Sequence, residues 1–132
     1  MLPVRVLVVG NSRILLRRLR VALESEGYMV TLARGNGVPA VLLARSVPDL
    51  VITQVRPSRT TVEAWRRAVD SFRAHRSLSV LALATDAAGE EERKALEEVA
   101  DLGVIQRPLR KRVVMGRIEE WYTAEAPLLR AS

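Results

Sequence analysis

Residues 48–57 read Pro-Asp-Leu-Val-Ile-Thr-Gln-Val-Arg-Pro. The apolar run Leu50 to Val55 is bounded by prolines and fits a central strand buried on both faces. In an α/β domain the ligand crevice forms where such strands end. The polar side chain at that end is Gln54, a neutral amide. The reading of the whole chain turns on that residue.

Upstream, Val4 to Val9 is a second apolar run, followed by the turn Gly10-Asn11-Ser12, in which Ser12 suits a helix N-cap. The next stretch has helical period. Leu15, Leu19, Ala22 and Leu23 fall on one face, and Arg13, Arg17, Arg20 and Glu24 on another. Gly27 is placed to end this helix. Tyr28 to Ala33 reads as a strand, Gly35-Asn36-Gly37 as a turn and Val38 to Arg45 as a short helix broken before Pro48.

Downstream, Ser58-Arg59-Thr60 reads as a loop and Thr61 to Ala74 as a helix with Trp65, Ala68, Val69 and Phe72 inward. Glu63 and Arg67 form a supporting pair one turn apart. Leu78 to Ala84 is a strand. Thr85-Asp86 is expected to cap a helix reaching about Leu102, with Glu90, Glu91 and Glu92 at its positive end. Val104 to Gln106 is a short strand, Arg107-Pro108 follows, and a last helix from Arg110 to Tyr122 turns Val114, Ile118 and Trp121 inward. Residues 123–132 read as a tail or the start of a linker after a domain spanning 1–122. Strand and helix alternate five times, which predicts a doubly wound parallel sheet with right-handed crossovers.

The 132 residues suffice for one domain with a real core, 48% of them being apolar. The chain lacks cysteine and has a single histidine, His75, which excludes a disulfide framework and a histidine metal cluster. No apolar run is long enough to span a membrane, and the opening residues feed straight into a strand pattern, so a cytoplasmic protein is expected. Charge is lopsided. Residues 1–76 hold 13 basic and 5 acidic residues, and residues 77–132 hold 8 and 10. Genome composition accounts for so many arginines as readily as a basic face does.

Several local signatures, taken in order, resemble the response-regulator receiver family. Val6-Leu7-Val8-Val9 is similar to its first strand, and Gly27-Tyr28-Met29-Val30 to the exit from its first helix. Pro48-Asp49-Leu50-Val51 is similar to the approach to its phosphorylation site, and Arg107-Pro108 to its Lys-Pro, usually a cis peptide. The resemblance covers roughly residues 4–122. It implies the chemotaxis-regulator fold, a five-stranded sheet of flavodoxin-like order 2-1-3-4-5.

It also implies where the family's chemistry would sit. The family's two Mg²⁺-binding acidic residues fall on Gly10 and Asn11, and its phosphoacceptor aspartate falls on Gln54. Its hydroxyl residue falls on Ala84, or on Thr85 after a shift of one, its lysine on Arg107 and its switch aromatic on Val104. Mg²⁺ requires carboxylate oxygens, and an amide forms no acyl phosphate. The expectation is a receiver-like domain with a degenerate pocket, no cofactor and no enzymatic activity. Asn11 and Gln54 are expected to hydrogen-bond each other or Arg107. Asp49, the other carboxylate candidate, reads as a polar strand start.

Function is then expected on the surface, as phosphorylation-independent signalling. In the family the usual partner and dimer face joins the fourth helix, fifth strand and fifth helix. Here that face carries Glu91, Lys94, Glu98, Val104, Arg110, Arg112 and Arg117, which suits a protein partner or a second copy. The alternative is nucleic-acid binding by the arginine-rich N-terminal half, which lacks interleaved aromatics and helix-turn-helix spacing.

Overall fold

A computed structural model of the chain describes residues 3–35, 37–56, 58–84 and 89–131, with side chains as far as Ala124. In chain order the elements are β1 (Arg5–Gly10), α1 (Arg13–Ser25), β2 (Met29–Arg34), α2 (Pro39–Ser46) and β3 (Leu50–Val55). They continue with α3 (Arg59–Arg73), β4 (Ser79–Ala84), α4 (Glu90–Val99), β5 (Val104–Ile105) and α5 (Lys111–Ala131). The five strands form one parallel sheet in the order β2-β1-β3-β4-β5. This is the doubly wound, flavodoxin-like arrangement expected of the sequence.

Strand alternation divides the core in two. Leu7, Val9, Val51, Val55, Val80 and Ala82 face α2, α3 and α4, where they meet Leu43, Trp65, Val69, Leu96 and Val99. Val6, Val8, Leu50, Ile52, Leu81 and Leu83 face α1 and α5, meeting Leu19, Leu23, Val114, Ile118 and Trp121. Trp121 also donates its indole N–H to Ser79 Oγ at 2.8 Å, which fixes α5 against the start of β4.

The helix ends follow from local chemistry. Ser12 Oγ accepts the N–H of Leu15 at 3.3 Å and starts α1. At its far end Gly27 takes φ +89, and the N–H groups of Gly27 and Tyr28 return to the carbonyls of Glu24 and Leu23. That paired return is the Schellman closure, which favours glycine at this position. Val47 closes α2 in the left-handed region at φ 44 and ψ 61, a costly conformation for a β-branched residue.

Three boundaries differ from expectation. Ser58 is the N-cap of α3 rather than a loop residue: its Oγ accepts the N–H of Thr61 at 3.2 Å, and the helix starts at Arg59. α4 ends at Val99, short of Leu102, because the Asp101 carboxylate takes the Val80 N–H and draws the chain toward β4. α5 continues as helix through residues 123–131, past the end expected at Tyr122. Thr85 and Asp86, expected to cap α4, and Asn36 in the glycine turn lie outside the described residues. The described start of α4 follows Gly89, which makes no side-chain cap.

Candidate functional site

β1 and β3 are neighbours in the sheet, so the entrance to α1 lies beside the end of β3. Gln54 Oε1 accepts the backbone N–H of Asn11 at 3.0 Å and that of Ser12 at 3.3 Å. Together with the Ser12 cap, three N–H groups at the entrance to α1 are satisfied by side-chain oxygens. The neutral amide thus occupies donors that would attract an anion at a helix N-terminus.

Gly10 makes this possible. A Cβ there would lie 2.5 Å from Gln54 Oε1 and 3.0 Å from Gln54 Cβ. Moving the amide aside would break both of its bonds to the α1 entrance.

The expected pairing of the Asn11 and Gln54 side chains is therefore replaced by a side-chain-to-backbone clamp. Asn11 itself is exposed and its side chain lies against Gly35, where a Cβ would come within 2.8 Å of Oδ1. Arg107 bonds neither amide among the described residues. It is exposed beyond β5, at a cis peptide with Pro108. It shares an open groove of about 670 Å³ with Ser12, Arg18, Gln54 and Lys111, walled by Ile14, Leu15, Pro108 and Leu109. Ala84 is buried at the end of β4, opposite Val55, and Thr85 lies outside the described residues.

Asp49 lies just before β3, a central strand. Its Oδ2 accepts the Arg5 N–H at 2.9 Å, while its own N–H donates to the Arg5 carbonyl at 2.9 Å. It ties the start of β3 to that of β1 and stands at the opposite end of the strand from Gln54.

The expected partner residues do not share one face. Glu98 pairs with Arg66 of α3 at 2.8 Å, and Glu91, seven residues earlier, lies on the same side of α4. Both belong to the α3 edge. Lys94 pairs with Glu90 at 3.5 Å. On the other side of α4, Val104 is half-buried in β5, and Arg117 donates to the Leu102 carbonyl at 2.8 Å, over Gly103. Arg110 and Arg112 are exposed, as is Val113 at 45%.

Asp101 was missed by reading the sequence. It accepts the Val80 N–H at 2.6 Å and the Arg73 guanidinium at 3.0 Å, while Arg73 also donates to the Leu78 carbonyl. An acidic residue two positions before the turn glycine Gly103 was the available signal.

Among the described residues no helix is long and apolar enough to cross a membrane. No protein-family model and no curated protein matches the chain. Solved structures do. A response regulator receiver domain protein (CheY-like) from Methanospirillum hungatei JF-1 superposes with a TM-score of 0.74 at 20% identity, over 96% of this chain and 98% of that one. An orphan response regulator of H. pylori gives 0.72 at 23% identity, covering 89% and 94%. A response regulator from Thermotoga maritima gives 0.69 at 24%, covering 90% and 97%. At these identities the likeness establishes architecture, and the chain has the fold of response regulator receiver domains.

Proposed function

We propose that this chain is a receiver-like signalling module that works without aspartyl phosphorylation, through a protein partner or a second copy of itself. The observation that carries the reading is the Gln54 clamp: its amide oxygen is held by the backbone N–H groups of Asn11 and Ser12. The residues at the corresponding acidic positions, Gly10 and Asn11, offer no carboxylate for a hard cation. Gln54 offers no oxyanion for attack on phosphorus. The clamp holds one arrangement of the pocket without a phosphoryl group.

The proposed partner face lies around β5 and the start of α5. Val113 stands one turn before Arg117 on α5, and Arg117 reaches the carbonyl just before β5, so Val113 faces the β5 side. An exposed valine flanked by Arg110 and Arg112 offers an apolar centre with a basic rim.

Several arginines of the basic half are already engaged. Arg66 pairs with Glu98, Arg67 with Glu63, Arg73 with Asp101 and Arg20 with Glu24. On α3 this supports a protein partner over the nucleic-acid alternative, in which that helix would present free cations to phosphates.

The test is a Mg²⁺ titration followed by a small phosphodonor, read by amide NMR. The expected result is no response of Gly10, Asn11 or Gln54 at sub-millimolar metal and no phosphorylated product by intact mass. Metal-dependent shifts in those residues, or an added phosphoryl group, overturn the reading.

A further inference from the structure

The groove over Gln54 has no acidic residue among its described lining. Its cations come from three places: Arg18 from α1, Arg107 from the β5–α5 connection and Lys111 from the first position of α5. None of these three side chains has an ion-pair or hydrogen-bond partner among the described residues.

The neutral groups of the lining are oriented as donors too. Gln54 Oε1 is occupied by the N–H groups of Asn11 and Ser12, which fixes the amide and leaves its NH₂ end without a partner among the described residues. Ser12 Oγ accepts from Leu15, so its own proton is free to donate. Three cations and two neutral donors around one groove, with no acidic side chain among them, attract negative charge. The same lining repels the hard cation that an acidic pocket would hold.

The rest of the wall is apolar. Ile14 is 69% exposed, and Leu15, Pro108 and Leu109 complete this side. A groove of about 670 Å³ has the size of a small-molecule site. A ligand matching both halves has an anionic end and a flat, apolar-faced body.

We infer that the groove between α1 and α5 binds a phosphorylated small molecule of nucleotide size, with its phosphates on Arg18, Arg107 and Lys111 and its body against Ile14, Pro108 and Leu109. The binding is noncovalent and leaves Gln54 unmodified. This site goes beyond the reading above and does not rest on the β5–α5 partner face, so the two fail separately.

Nucleic-acid backbones carry the same phosphate chemistry, so the test has two arms. ATP is titrated into the full chain under amide NMR, and a short single-stranded DNA is titrated in parallel. The expected result is saturable binding of ATP, with shifts confined to Ser12, Ile14, the Gln54 side-chain NH₂, Arg107 and Leu109. Arg107→Gln and Lys111→Gln each weaken ATP binding roughly tenfold, the loss of one charge-assisted contact. Arg76→Gln, outside the groove, leaves it unchanged. All three substituted side chains are exposed, and retained amide dispersion confirms folding. The inference is overturned if ATP does not saturate, or if the two groove variants bind it as wild type does. It is equally overturned if DNA binds more tightly than ATP, with shifts spread along the arginines of α1 and α3.

Discussion

Thr53 is a hydroxyl placed among hydrocarbon. It is 1% exposed in the middle of β3, and its Oγ1 has no hydrogen-bond partner among the described residues. A buried hydroxyl left unpaired loses its hydration without replacement. Thr53→Val is expected to raise stability by about 1 kcal/mol. Urea unfolding checks this: the midpoint should rise at an unchanged slope, and a lower midpoint would show that the hydroxyl is paired. Gln54, one position on, shows where reading residue types stops. The sequence pointed to Gln54 and to its neutral chemistry, yet the expected partner was another side chain. The actual partners are backbone N–H groups at the entrance to α1, and every residue except proline carries that donor, so no letter in the sequence marks it.

Elements whose ends rest on local chemistry were legible. The run Leu50 to Val55 is β3, Ser12 caps α1 and Gly27 closes it, each by a residue type suited to one conformation. The end of α4 was not legible, because a contact distant in sequence sets it. The apolar period continues to Leu102, but Asp101 bonds the Val80 N–H and Leu102 donates to the Val80 carbonyl at 3.0 Å. β5 has only two residues, so Asp101 and Leu102 extend the edge of β4 in place of a longer strand. Asp101→Ala is expected to cost about 2 kcal/mol, since it removes a charge-assisted bond to a backbone donor and frees Arg73. Asp101→Asn keeps an acceptor oxygen and should lose about half as much. Hydrogen exchange at Val80 together with denaturant unfolding decides. Wild-type protection at Val80 in the alanine variant would mean that the bond carries no weight.

At the scale of the molecule, the sheet separates two cores, with α2, α3 and α4 on one side and α1 and α5 on the other. The proposed partner face lies at the β5 edge, where the two sides meet. Sedimentation across concentration tests self-association there. A concentration-dependent dimer is expected for the wild type and a monomer for Arg112→Glu, while Arg17→Glu on α1 should still dimerise. A wild type that stays monomeric throughout would remove the second copy as partner. The length of α5 has a separate, geometric consequence. Its last described buried side chain is Trp121, and the helix continues to Ala131, about 15 Å further along its axis at 1.5 Å per residue. Anything fused to that end is carried on a shaft whose angular bearing is set at Trp121. One residue inserted beyond Ala124 turns the cargo by about 100°, and seven bring it nearly back to its first heading, so linker length there sets direction as much as distance.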